Sequence, residues 1–197
     1  LADLEPHAVG EVDDQVILEQ LNRLIPSAEK YGVTLLVETN GVYADTNRLR
    51  ELLDQAASDY LAALWDMHHP YRFAGEAPGQ TVQNLGAYIK YVHIKDSVVE
   101  NDKIQYRLMG EGDLPVEDMM KALESINYDG YVSLEWVKRW ASDLEDAGIV
   151  FPHFADYMRR FQKGSVTRSR LYDNLRGTGK YIWEKDILID LTFPQVL

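Results

Sequence analysis

Apolar residues along this chain alternate between helical spacing and short, nearly continuous runs. Between "EVDD" and "EKYG", Val16, Ile17, Leu21, Leu24, Ile25 and Ala28 recur at intervals of three and four, which predicts a helix. Asp13 or Asp14 can cap its first turn, and Gly32 suits the left-handed position after its last. "VTLLVETN" then reads as a buried strand. The alternation repeats: Leu49, Leu52, Leu53, Ala56 and Ala57 form the stripe of a helix from about Thr46, and "YLAALWDMHH" makes a strand that ends in polar residues.

Two further units follow. "TVQNLGAYIK" predicts a short helix and "YVHIKDS" a strand with a polar end. "GEGDLPVEDMMKALESINYDG" gives a glycine-rich loop, Pro115 near a helix start, an amphipathic helix and a turn at Asp129-Gly130. "YVSLEW" is the next strand, and a last helix is expected from about Leu144 to Gln162, kinked at Pro152. Strands alternating with helices imply right-handed crossovers and a parallel sheet, hence an α/β fold. An open doubly wound sheet and a closed (β/α)8 barrel compete. A barrel typically takes about 250 residues, so a chain of 197 residues would supply only its second half.

Side chains two apart on a strand share a face. By that rule Glu38, Asp66, His93 and Glu135 each lie near the C-terminal end of one predicted strand and on a common face, where barrels carry their catalytic groups. Taken singly, each has a plain structural explanation, a solvated cap, an ion pair or a hydrogen-bonded histidine. Four at equivalent ends of consecutive strands point instead to one site. Three carboxylates and an imidazole suit a hard divalent cation, Mn²⁺ or Mg²⁺, with Co²⁺, Fe²⁺ or Zn²⁺ also compatible. Such a cation acidifies a C–H beside the oxygen it polarises, and two carboxylates can then move the proton.

Composition narrows the partners. A formal charge of −12 repels phosphate backbones, so nucleic acid is not an expected partner. There is no cysteine, so thiolate nucleophiles and cysteine zinc sites are excluded and a metal must be held by Asp, Glu and His. No apolar run approaches the length that spans a bilayer as a helix. No membrane association and a cytoplasmic location are the expectations.

The ordered series "LLVETN", "WDMHH", "YVHIKD", "MGEGDLP" and "GYVSLEW" resembles the xylose-isomerase-like barrel superfamily, the sugar isomerases and epimerases, over roughly residues 1 to 160. The resemblance implies a divalent metal bound by Glu38, Asp66, His93 and Glu135, with Glu38 and Glu135 doubling as the acid/base pair on opposite faces of the substrate carbon. It implies that His69 contacts substrate oxygens and that Lys95 and Asp96 flank the site. Arg72 is a candidate for a substrate phosphate or carboxylate, against the alternative of an ion-paired arginine. His68 reads as structural, and "MGEGDLP" as a tight turn rather than a phosphate cradle. The family also contains apurinic-site endonucleases, but "SVVENDKIQYRLMGEG" lacks the Asp-x-His pair that those enzymes carry there.

The implied activity is a metal-dependent sugar or polyol isomerase or epimerase that abstracts a proton next to a metal-bound substrate oxygen, within carbohydrate metabolism. A related dehydratase, or a non-catalytic barrel-derived module of a multidomain protein, is the alternative. A family barrel would begin with three further strands and helices, and "LAD" reads as the end of a fourth strand, so residues 1–162 are expected to be the C-terminal part of a barrel within a longer chain. Its open sheet edges would favour homo-oligomerisation. Residues 163–197 read as a linker or lead-in, loosely resembling the approach to a fused adenylate-forming domain downstream.

Overall fold

The computed structural model describes residues 12–161 together with the short strand Ile187–Ile189. Helix α1 (Asp14–Tyr31) begins where the Asp13 side chain accepts a hydrogen bond from the Gln15 N–H, and ends where Gly32 turns left-handed and its N–H reaches the Ala28 and Glu29 carbonyls. Ile17, Leu18, Leu21 and Ile25 pack on the core, whereas Val16 and Leu24 of the predicted stripe are half exposed. The stripe divides because α1 packs against α2 (Thr46–Ala56) along one flank only.

Strands β1 (Leu35–Glu38), β2 (Leu61–Asp66), β3 (Ile89–Ile94) and β6 (Val132–Leu134) run parallel in that order, with β7 (Ile187–Ile189) parallel beside β6. Helices α2, α3 (Pro78–Leu85) and α4 (Val116–Ser125) connect successive strands, as the alternating pattern predicts. Leu49, Leu52 and Leu53 of α2, Leu85 of α3 and Met119 of α4 are buried against Ala63, Trp65, Val92 and Ile94 of the sheet. Burying a leucine-sized side chain stabilises by about 2 kcal/mol, and this apolar layer fixes the strands whose ends carry polar groups. Beyond its pairing with β2, β1 has no strand partner among the described residues.

The register brings the polar ends level: Glu38 pairs with Leu64, Asp66 with His93, and His93 with Ser133. The parallel ladder continues past the strands, with N–H groups of Thr39, Met67 and Glu135 donating to the carbonyls of Leu64, His93 and Ile94 at 3.0 Å. The residues that follow each strand are therefore held almost as firmly as the strands themselves.

Two elements differ from the pattern reading. The stretch after β3 forms an antiparallel hairpin, β4 (Asp96–Glu100) and β5 (Lys103–Arg107), turned by Asn101 and Asp102 with φ of 51° and 60°. Two consecutive positive φ values are those of a primed two-residue turn, whose twist matches its flanking strands. Helix α5 (Ala147–Met158) is shorter than the expected span, with Pro152 inside it. The "LAD" opening and, apart from β7, residues 163–197 lie outside the described residues. No helix among the described residues is long and apolar enough to cross a membrane.

Candidate metal centre

Asp66 closes β2 and is fully buried. Its backbone is locked from the neighbouring strand: Thr39 Oγ1 accepts from the Asp66 N–H at 2.9 Å and donates to the Asp66 carbonyl at 3.1 Å. One carboxylate oxygen, Oδ1, accepts from the His68 N–H at 2.9 Å. The other, Oδ2, lies 2.9 Å from His69 Nε2 and is bound by the Lys95 ammonium. Burial alone would raise the Asp66 carboxyl, but the Lys95 charge and then His69 outweigh it and hold it well below the carboxylate range.

Glu38, Asp66, His69 and Glu135 each place one donor atom within 4.8 Å of the others. The structure thus brings three of the four ligands implied by the family resemblance, Glu38, Asp66 and Glu135, into one group with His69. His93 is not in that group. Its Nδ1 is 3.8 Å from Glu38 Oε1, longer than a hydrogen bond, with the ring edge-on to Tyr91. Burial would depress His93, yet Glu38 and the Asp66 and Glu135 charges leave it raised above the ordinary histidine value.

Glu135 follows β6 and is bound by Lys95, with a third of its side chain exposed. Burial raises its carboxyl above the usual range and the Asp66 charge adds to this, against the lowering effect of Lys95. Lys95 is buried between the two carboxylates, which raise its ammonium despite the opposing effect of burial. Its Nζ is also 3.2 Å from His69 Nε2.

The donor set fits a divalent cation. It is made of hard oxygen and imidazole donors of the kind Mn²⁺, Mg²⁺ or Zn²⁺ takes. Buried polar atoms normally have partners, but Glu38 Oε1 and His93 Nδ1 are buried without a hydrogen bond, facing one another across the cluster's edge. An ion held there would satisfy atoms that the chain itself does not.

Arg72 sits one layer out, in a π-type turn (Pro70–Ala74). Its guanidinium is taken up by the Ser97 hydroxyl at 2.9 Å, the Ser97 carbonyl and the Asp113 carboxylate. That is the ion-paired alternative, and a substrate anion would have to compete with Asp113 for it. His68 is buried, its Nε2 2.9 Å from the same Ser97 hydroxyl. Burial, then the positive charge of Lys95, pushes its pKa down to about 2. Sequence reasoning missed Thr39 and Ser97. Thr39 directly follows Glu38 in "VETN", and a hydroxyl just past a strand end is a signal for locking the neighbouring strand.

The loop "MGEGDLP" does cradle an anion, and the anion belongs to the chain. The buried Asp96 carboxylate accepts from the N–H groups of Ser97 at 2.8 Å, Gly110 at 2.9 Å, Gly112 at 3.0 Å and Leu114 at 3.4 Å. A Cβ on Gly112 would stand 1.9 Å from Asp96 Oδ1, so only glycine fits there.

The sequence matches the family described as "Xylose isomerase-like TIM barrel" over residues 3–159. An inosose dehydratase of Clostridium perfringens is 25% identical over 146 residues, which cover 66% of this chain and 49% of that protein. A fructoselysine 3-epimerase of Escherichia coli O157:H7 is 26% identical over 132 residues, 64% of this chain and 47% of that one. The chain thus spans about half the length of the curated relatives it matches. Among solved structures, the IOLI protein with a binding zinc atom superposes with a TM-score of 0.61 at 18% identity, covering 77% of this chain and 58% of that one. With a parallel α/β sheet, acidic groups gathered at its strand ends and a family match across most of its length, the chain belongs to the xylose isomerase-like TIM barrel family.

Proposed function

We propose that this chain carries the metal centre of an isomerase or epimerase acting on a sugar or polyol. The observation that carries this reading is the convergence of Glu38, Asp66, His69 and Glu135 at the ends of neighbouring parallel strands. Glu38, Asp66 and Glu135 would hold the ion with His69 or His93 as the imidazole donor, and a bound divalent cation supplies Lewis acidity toward a carbonyl or hydroxyl oxygen.

The remaining chemistry belongs to the side chains. Glu38 and Glu135 are each about a third exposed, whereas Asp66 forms the buried floor. A substrate therefore meets the two glutamates. Either carboxylate can take or give a proton, and Glu38 has an oxygen with no hydrogen-bond partner in the protein. When one carboxylate takes the C–H proton and the other, carrying a proton of its own, delivers it at the opposite face, the carbon is inverted. When the first returns its proton at the neighbouring carbon, and the hydroxyl proton passes to the former carbonyl oxygen, the carbonyl moves. His69 and Lys95 supply N–H groups within the cluster that can orient a substrate oxygen.

A dehydratase reading shares the same residues and is supported by the 25% identity to an inosose dehydratase. There removal of the proton by one glutamate is followed by departure of the hydroxyl on the adjacent carbon as water, with a proton from the second glutamate in its acid form. The test is incubation of the chain with Mn²⁺ and a panel of ketoses and inososes in D₂O. Deuterium at the carbon next to the carbonyl supports proton transfer, and loss of water from the product mass marks the dehydratase. Glu135→Gln should lower either rate by about 10²–10⁴-fold while leaving the circular dichroism spectrum unchanged. Undiminished exchange in that variant would reject its acid/base role.

A further inference from the structure

Lys95 stands two residues beyond His93 on the same side of the chain, with its side chain 1% exposed. Its ammonium contacts the carboxylates of Asp66 and Glu135 and lies 3.2 Å from His69 Nε2. An ammonium has three donors and no acceptor, and this one donates to a carboxylate oxygen of each acid with the His69 ring beside it. Those three residues are also three of the four that form the convergent donor group. The lysine nitrogen therefore sits where the donors point, and Glu38 is the member of the group outside its grasp.

We propose that Lys95 is an internal competitor for the metal: its ammonium and a divalent cation share the carboxylates of Asp66 and Glu135, so the ion binds by exchange with Lys95. The inference rests on the reading of this group as a metal centre. Its physics is like-charge exclusion. An ion coordinated by Asp66 and Glu135 would stand within a few ångströms of the ammonium, where two cations repel strongly because burial leaves little water to screen them. Glu38, whose Oε1 has no hydrogen-bond partner, is the donor free to meet an entering ion first. The displaced lysine then leaves its buried position and becomes a mobile cation beside the substrate. The two carboxylates are also what makes burial of this ammonium tolerable, since a buried cation without partners is strongly destabilising. Lys95 thus sets the affinity of the site, because an entering cation must displace the ammonium from both carboxylates.

The experiment titrates Mn²⁺ into the 197-residue chain and its Lys95→Met variant by calorimetry, and acetylates lysines in the wild-type chain with and without Mn²⁺ before mass spectrometry. Lys95→Met keeps the length and apolar stem but removes the charge. The expected results are Mn²⁺ binding at least about tenfold tighter in the variant, and acetylation of Lys95 at least about tenfold faster when Mn²⁺ is saturating. Equal or weaker binding by a folded variant, or protection of Lys95 unchanged by Mn²⁺, overturns exchange while leaving the metal-centre reading intact. If neither protein binds Mn²⁺, Zn²⁺ or Mg²⁺, the metal-centre reading fails and this inference falls with it. Should the variant not fold, as seen by circular dichroism, the acetylation result on the wild-type chain decides alone.

Discussion

Asp66, which closes β2, and Asp96, which follows the adjacent β3 and opens β4, are both buried aspartates, yet their carboxylates are held by different means. Asp96 is surrounded by four backbone N–H groups from its own hairpin and the loop that precedes α4. Asp66 is surrounded by side chains, Lys95 and His69, with a single backbone N–H from His68. Backbone amides are fixed by the fold and cannot leave, so the Asp96 carboxylate is a rivet. Side-chain cations can rotate away, so the Asp66 carboxylate is available to a ligand. The contrast separates scaffold from chemistry without reference to residue type.

Asp96→Ala is the strongest way to break the scaffold half of that comparison. It strands the three loop amides of Gly110, Gly112 and Leu114, and each buried unsatisfied donor costs about 1–3 kcal/mol. The expected loss is about 4 kcal/mol in urea unfolding. Metal binding by whatever fraction stays folded should be unaffected, because Asp96 contributes no atom to the convergent group. If calorimetry instead shows metal binding lost while folding persists, the two aspartates are not separable in this way.

Gly112→Ala probes the same rivet more gently. The added methyl carbon would meet Asp96 Oδ1 at 1.9 Å and the Ser97 carbonyl oxygen at 2.6 Å, so the loop must shift and lengthen two amide bonds. A destabilisation of about 2 kcal/mol is expected, measured by urea unfolding. An unchanged midpoint would mean that the loop tolerates a second path and that Asp96 is held mainly by Ser97 and Leu114.

The parallel α/β units were legible in the sequence because hydrophobic period and strand-end polarity are local signals. Glu38, Asp66 and Glu135 were found for the same reason, since alternation along a strand fixes the face. Three features were not legible. Which imidazole stands nearest the buried carboxylate depends on side-chain rotation, which spacing does not encode: His69 lies past the strand end yet swings back to Asp66, while His93 stands 3.8 Å from Glu38. The position of Lys95 amid the donors depends on a register that brings β2, β3 and β6 level. The hairpin Asp96–Arg107 turns at "ND", without the glycine that usually marks a two-residue turn. The capture of Arg72 by Ser97 and Asp113 joins segments 25 and 41 residues apart in sequence, which no local pattern encodes.

The finest test of the comparison concerns His68, which links its two halves by donating its N–H to Asp66 and placing its ring on Ser97 beside Asp96. The groups facing it are Lys95, His69 and Arg72, which oppose its protonation, and Asp66, which favours it. With burial as the largest cause, its folded-state pKa is pushed down to about 2 from 6.5. The unfolded chain therefore takes up a proton below about pH 6.5 that the folded chain refuses, so stability is fully present above that pH and lost as pH falls. His93 runs the other way, being raised, so it is stabilising at low pH and loses that contribution as pH rises. The two are separated by comparing the wild type with His68→Gln from pH 7.5 to pH 4.5, with a chelator present throughout. The wild type should lose up to about 1.4 kcal/mol per pH unit relative to the variant below pH 6.5. A difference that stays flat across that range would show that His68 becomes protonated inside the fold, and that the Lys95 charge is not where this geometry puts it.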